Sequence, residues 1–373
     1  MAKTGTANLP LHGGKAPRWL FKRMVQLSKG IIRVMIHEYG QETFLKRLSD
    51  PFWFQALSCV LGFDWHSSGT TTVTCGALKQ AITPEEHGIV LAGGKGKASR
   101  KTLDEIIQNS SSFNLSTAKI NNLTYSSKMA AKVDNTAIQD QHQLYHHMFA
   151  FTENGTWTVI QQGMSLEQHY ARRYHWFSKN FEHFTINPHD SILGIHTNEP
   201  VLDMASKKSV TCQKTCVDLI NDPPQHLQRD WSNLTRPSTQ TSLYDYENNN
   251  NYDINLQFLN MSRTINWKRM REIYEFQPAG YEELLSMKGV GPKTVRALAL
   301  ISDLIYGDMP SWKDPVKYTF TVGGKDGVPY PVDKKAMDES IDIIKEGIDQ
   351  AKLGNTQKIK TFKRLKKLIT IPQ

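Results

Sequence analysis

Apolar positions recur at helical spacing at the start of the chain. In "RWLFKRMVQLSKGIIRVMIHEYGQETFLKRL", Leu20, Met24, Leu27, Ile31, Val34 and Met35 fall on one face, which predicts an amphipathic helix. The "DPFWFQALSCVLGF" that follows has Asp50 before Pro51, a cap followed by a residue suited to the first helical position, so two or three helices open the chain. The pattern then changes. "HGIVLAGG" is a short apolar run ending in glycines, and "HMFAFTENGTWTVIQQGM" holds two β-rich runs around Asn154-Gly155, a pair that tolerates the positive φ of a hairpin turn.

From about Met204 to Asn255 periodicity fades among "NDPPQ", "RPSTQTS" and "YENNNNYD", which reads as a linker or surface excursion. Helical spacing returns in "LQFLNMSRTINWKRMREIYEF", and "VDKKAMDESIDIIKEGIDQAK" predicts one helix more. No internal repeat is present, which excludes a solenoid. The expected class is α+β: a mixed α/β domain over residues 1–204, a linker over 205–255, and a mainly helical domain over 256–373.

Charge narrows the partner. The 373 residues carry a formal net charge of +9, an excess that attracts polyanions, nucleic acid first. Six basic residues (Lys358, Lys360, Lys363, Arg364, Lys366, Lys367) and no acidic one follow Gly354, either a solvated tail or a phosphate-contacting one. No run approaches the roughly 18 apolar residues of a membrane span, and the first residues lack the apolar block of a secretory signal, so a soluble, intracellular, cytoplasmic protein is expected. Four cysteines (Cys59, Cys75, Cys212, Cys216) are too few for a disulfide scaffold, and their spacing forms no recognised metal motif. No metal and no cofactor is expected.

The most specific stretch is "YEELLSMKGVGPKTVRALALISDLI", which reads as helix, sharp turn, helix. Gly289 and Gly291 permit the turn, Val290 plugs it, and Pro292 suits the first helical position. The N–H groups of Gly291, Lys293 and Thr294 should point outward at a helix start, the geometry that holds a phosphate oxygen. From Leu284 to Ala297 the chain resembles the helix-hairpin-helix motif. That resemblance implies binding to the backbone of double-stranded DNA without sequence readout. Lys95 and Lys97 in the glycine-rich "GGKGKASRKT", and Arg172 and Arg173 in "ARRYHWF", are further candidate DNA contacts. The glycine-rich segment is not an ATP loop, because Ala98 follows Lys97 and Leu91 stands where a glycine is needed.

From Asn266 to Phe320 the chain also resembles base-excision DNA glycosylases of the endonuclease III type. Lys293 takes the position of that family's lysine, and Asp314, after Gly307 and Pro310, falls near that of its aspartate, at a spacing a few residues longer. The resemblance implies removal of a damaged base, an oxidised pyrimidine such as 5-hydroxymethyluracil, followed by AP-lyase cleavage. Lys293 would attack the sugar of a flipped nucleotide as a free amine, a form the positive end of a helix dipole favours over the ammonium. Asp314 would stabilise the oxocarbenium-like sugar and handle the proton. In the plainer alternative Lys293 is a phosphate contact, and Asp314, before Pro315, caps a turn. The family's four-cysteine iron–sulphur loop is missing, since no cysteine follows Cys216.

A second constellation lies upstream. Asp64 and His66 flank Trp65, while Asp134, Asp140, His142, His146 and His147 crowd one region, with His142 and His146 at helical spacing. Such a set could bind a divalent ion for phosphodiester cleavage, so a metal-dependent nuclease, or a non-catalytic DNA-binding scaffold, stands as the alternative. The N-terminal segments "DPFWFQALSCVLGFDWHSSGTTTVTCGALK" and "AKVDNTAIQDQHQLYHHMFAF" resemble a family of archaeal and bacterial proteins known only as a domain of unknown function.

Overall fold

The computed structural model describes residues 9–13, 16–63, 67–235 and 265–316, with 349 and 359. The first helix, α1 (Arg18–Ser49), buries Met24, Leu27, Ile31, Val34 and Met35 as their spacing predicts, and it breaks at Gly40, where φ is +80°. The Asp50 carboxylate accepts from the Phe52 and Trp53 amides at 2.9 and 3.4 Å and so starts α2 (Pro51–Val60). The threonine-rich α3 (Ser68–Ala81) was not foreseen. It forms because one face, with Thr71, Thr74, Cys75 and Leu78, is buried against α1 and the sheet, which overrides weak helix propensity.

After a single turn, α4 (Pro84–His87), the chain enters β1 (Ile89–Lys95), then α5 (Thr102–Ser110) and α6 (Thr117–Lys132). A wide π turn, Val133–Ala137, leads to the short β2 (Ile138–Gln139). The expected hairpin is β3 (Gln143–Thr152) and β4 (Trp157–Ser165). The Gly155 amide donates to the Thr152 carbonyl at 3.0 Å and Gly155 has φ +85°, so the loop is a four-residue turn closed by one left-handed glycine. Three more strands follow: β5 (Tyr170–Phe177), β6 (Ser191–Leu193) and β7 (Leu202–Asp203).

The main sheet has the order β1-β3-β4-β5-β6, antiparallel throughout. Alternation along each strand divides it into two faces. Leu91, Met148, Ala150, Ile160 and Phe177 pack with α1–α3. Val90, Phe149, Val159, Tyr174 and Trp176 pack into a second cluster on the opposite face. The class is α+β, with helices on both sides of an antiparallel sheet.

Residues read as a linker from 205 onward are instead helical through 235. α7 (Val210–Asn221) buries Cys212, Cys216 and Ile220, and α8 (Pro224–Thr235) buries Leu227 and Trp231. The prolines that suggested a break include Pro224, the first residue of α8. The stretch 236–264, with the asparagine run, lies outside the described residues, as does the helix expected near 332–352 apart from Asp349. Three more helices, α9 (Trp267–Phe276), α10 (Tyr281–Ser286) and α11 (Pro292–Tyr306), share one buried cluster with the sheet, joining Ile273, Leu284, Val290 and Leu298 to Phe149 and Trp176. No described helix is long and apolar enough to cross a membrane.

Candidate nucleic-acid interface and the buried polar centre

Helices α10 and α11 are joined by Met287–Gly291, with Val290 buried beneath the turn. Gly289 has φ +91°, so the backbone calls for glycine there; a Cβ would also press on the Arg269 side chain, 2.4 Å from Nε, which can swing aside. Gly291 differs from expectation. Its φ is −132°, ordinary extended backbone, and a Cβ would meet nothing within 4 Å. Among the described residues nothing demands a glycine there.

The two sides of this turn are unlike. Its carbonyls face inward, where Lys132 Nζ of α6 donates to Val290 O at 2.5 Å and Met287 O at 3.1 Å, and Gln139 Nε2 donates to Pro292 O at 2.8 Å. Burial, with Lys128 nearby, pulls the Lys132 ammonium below the usual lysine range. The outward side carries exposed Lys288 and Lys293. Gly291 caps α11 without a side-chain bond and Pro292 has no N–H, so the Lys293 and Thr294 amides stand at the helix start without intrahelical acceptors.

Asp314 is placed elsewhere. After α11 the chain doubles back, with Ser311 bridging to Asp203 on β7 and the Val201 amide donating to Trp312 O at 3.0 Å. That return carries Asp314 into the interior, where its side chain is 0% exposed. Oδ2 accepts from Arg172 Nη2 at 2.9 Å and from the Thr197 amide at 2.8 Å, while Oδ1 accepts from the Val316 amide at 3.1 Å. Arg172 also donates to Asp140 Oδ2 at 2.9 Å and Ile195 O at 2.9 Å, and the Tyr174 hydroxyl donates to Asp140 at 2.6 Å. Burial alone would raise the Asp140 carboxyl. Arg172, His142 and Tyr174 outweigh that and hold it well below the usual carboxylate range. No ion pair joins Lys293 to Asp314.

The upstream constellation divides into separate networks. Asp134, in the π turn, is bonded to His189, to Trp176 Nε1 at 3.0 Å and to Gln161 Nε2 at 2.5 Å. Gln161 Oε1 meets His147 Nδ1 at 2.8 Å, and His147 Nε2 meets Ser127 Oγ at 2.8 Å. Burial pushes the Asp134 carboxyl up against the pull of His189, and pushes the His147 imidazole down to about 4. His146 lies on strand β3 and His142 just before it, so their relation is that of a strand with a register shift between Leu144 and His146, not of a helix. Among the described residues no group of three or more His, Cys, Asp or Glu is arranged to hold a metal ion. Asp64, His66 and the basic stretch after Gly354 lie outside the described residues, apart from Ile359.

Two expected DNA contacts are corrected. Arg172 and Arg173, 1% and 0% exposed, are interior side chains of β5 and offer no guanidinium surface to a strand. Lys95 and Lys97 are exposed, Lys95 at the end of β1 and Lys97 in the turn that follows it. Cys212 and Cys216 are free and buried on α7. Sequence reasoning missed His189, Gln161, Trp176 and Tyr174 as carboxylate partners. The period-two alternation of β5 was the available signal, since it puts Arg172, Tyr174 and Trp176 on the face that Asp134 and Asp140 occupy.

No curated protein and no solved structure matches the chain. The model of one family, DUF763, described as a protein of unknown function, matches residues 5–332, most of the length. The chain therefore belongs to the DUF763 family.

Proposed function

We propose that the protein binds the phosphate backbone of duplex DNA, without reading base sequence, through the outward edge of the Met287–Thr294 turn, in the manner of a helix-hairpin-helix. The observation that carries this reading is Gly291. Its backbone is extended and no described residue lies within 4 Å of where its Cβ would stand, which supports a glycine that serves approach from outside rather than packing within. Beside it stand two amides at a helix start and the exposed ammonium groups of Lys288 and Lys293. A formal charge of +9 supplies the attraction, and the nucleoid is the compartment such a protein would occupy.

Fluorescence anisotropy with an undamaged duplex at several salt concentrations tests this. Lys293→Ala and Lys288→Ala should each weaken binding for all sequences alike and lower the salt slope by about 1. Gly291→Val should weaken binding without unfolding the protein. Unchanged affinity in all three removes the interface.

A second reading, a DNA glycosylase with AP-lyase activity on an oxidised pyrimidine, is favoured by one observation: the Lys293 amine is exposed at the start of α11. In this reading Asp314 cannot transfer a proton from where it sits, because its oxygens are bonded to Arg172, Thr197 and Val316, so it positions the return strand instead. Borohydride trapping on a 5-hydroxymethyluracil duplex in EDTA separates the readings. An adduct lost in Lys293→Ala supports the lyase. Magnesium-dependent cutting of intact DNA supports a nuclease, and binding alone leaves the grip.

A further inference from the structure

The turn between α10 and α11 closes itself weakly. Its internal backbone bond runs from the Val290 amide to Met287 O and is long, 3.4 Å. Shorter bonds reach it from a distant part of the chain. Lys132, the last residue of α6, donates from Nζ to Val290 O at 2.5 Å and to Met287 O at 3.1 Å. Gln139 of β2 donates from Nε2 to Pro292 O at 2.8 Å, and its Oε1 accepts from Arg296 Nε of α11 at 2.8 Å.

Lys132 and Gln139 flank the π turn Val133–Ala137, against which α11 packs. Wide turns of this kind often mark functional sites. This one is fixed from beneath. Asp134, 0% exposed, is bonded to His189, to Trp176 Nε1 of β5 at 3.0 Å and to Gln161 Nε2 of β4 at 2.5 Å. Gln139 Nε2 also donates to Thr136 O at 3.1 Å, which locks its amide as it reaches Pro292. Farther back on α6, Ser127 Oγ meets His147 Nε2 of β3 at 2.8 Å, and the Tyr125 hydroxyl donates to Glu282 of α10 at 2.8 Å. Three strands and both helices of the hairpin are thereby tied to the segment that carries Lys132 and Gln139.

Peptide planarity carries this hold to the outer surface. In a trans peptide the N–H stands opposite the C=O of the same unit, and no described peptide is cis. With Val290 O held inward, the Gly291 N–H points outward; Met287 O does the same for the Lys288 N–H, and Pro292 O for the Lys293 N–H. We propose that Lys132 and Gln139 are positioning residues for DNA: they touch no phosphate, and by holding three carbonyls they aim the backbone donors of the turn at one. This role rests on the DNA-binding reading above, and it makes the buried Asp134 network the rigid seat of the grip. An ammonium suits position 132 because two converging carbonyls need two N–H groups from one atom, and its charge strengthens both bonds.

The test is anisotropy titration of the full chain with an undamaged duplex at several salt concentrations, well below the melting temperature of each variant. Lys132→Met and Gln139→Met should each weaken binding by roughly three- to tenfold. Both should keep the wild-type salt slope, whereas Lys293→Ala lowers it by about 1. Gln139→Met changes no charge, so its loss separates aim from attraction. In Lys132→Ala, methylammonium exchanged for sodium at fixed ionic strength should restore part of the affinity, and tetramethylammonium, which has no N–H, should not. Wild-type affinity in both methionine variants beside a weakened Lys293→Ala would overturn the positioning role and leave the interface standing. A slope lowered by about 1 in Lys132→Met would make Lys132 a phosphate contact and overturn it equally. Absence of binding by the wild-type chain would remove the interface and the positioning role together.

Discussion

Replacing Asp314 separates a structural carboxylate from a catalytic one. Asp314 and Asp140 share Arg172, with all three side chains at most 1% exposed. Asp314→Asn keeps the shape and leaves a neutral acceptor for the Arg172 Nη2 and Thr197 N–H groups, now at 2.9 and 2.8 Å from a charged oxygen. A bond to a charged acceptor exceeds a neutral one by about 1 kcal/mol, so two such bonds lose about 2 kcal/mol. Relief of repulsion between the two carboxylates returns part of that, and Arg172 keeps Asp140, so the expected net loss is about 1–2 kcal/mol. Asp314→Ala leaves the Thr197 amide and one guanidinium edge without an acceptor and should cost about 3–5 kcal/mol. Urea unfolding followed by tryptophan fluorescence reads both values. An alanine variant within about 0.5 kcal/mol of wild type, the scatter of ordinary surface changes, would refute the structural role. An asparagine variant with wild-type stability and no borohydride adduct would return Asp314 to chemistry.

Acidification should destabilise the protein before carboxylates titrate. Burial holds His146 at about 3 and His147 at about 4, against about 6.5 in the unfolded chain. The unfolded state therefore binds protons that the fold refuses; stability is complete above about pH 6.5 and falls by about 1.4 kcal/mol per pH unit per histidine as pH drops towards the folded values. Urea midpoints in phosphate-free buffer at pH 7, 6 and 5 measure it, and a flat profile contradicts the burial of both rings. Gly289→Ala should cost about 1–2 kcal/mol through its positive φ, whereas Gly291→Ala should be neutral; equal losses would mean that the two glycines do the same work.

Local chemistry made part of the fold legible. The helical stripe of α1, the Asp50 cap, the apolar start of β1 and the Asn154-Gly155 hairpin each depend on residues within a few positions, although β1 runs on through Gly93 and Gly94 to Lys95. The α10–α11 turn belongs to the same class, since Val290, Gly289 and Pro292 fix it among themselves. Helix α3 was not legible because threonines favour strands until burial against α1 decides otherwise, and α7 and α8 were hidden by polar and proline-rich flanks. Asp314 was read as half of a local pair with Lys293, but its partner Arg172 is 142 positions away and is delivered by the sheet. No spacing rule reaches that far.

Arg172 and Arg173 show how a pleat rewrites a basic dipeptide. Side by side in sequence they read as one surface patch, yet successive strand residues point to opposite faces. One guanidinium meets Asp140 and Asp314, and the other meets Phe54, Thr71 and, among the described residues, no acid. The first is over-compensated, two negative charges to one positive, and its burial is explained within the protein. The second is not, and a hydrophobe of similar volume usually serves a core better than an ion without a counter-charge. A core built only for stability would therefore place methionine at position 173. The arginine that stands there is held by the Phe54 ring face at 4.7 Å and by Thr71 Oγ1 at 3.3 Å, with Gln162 filling the row between it and His146.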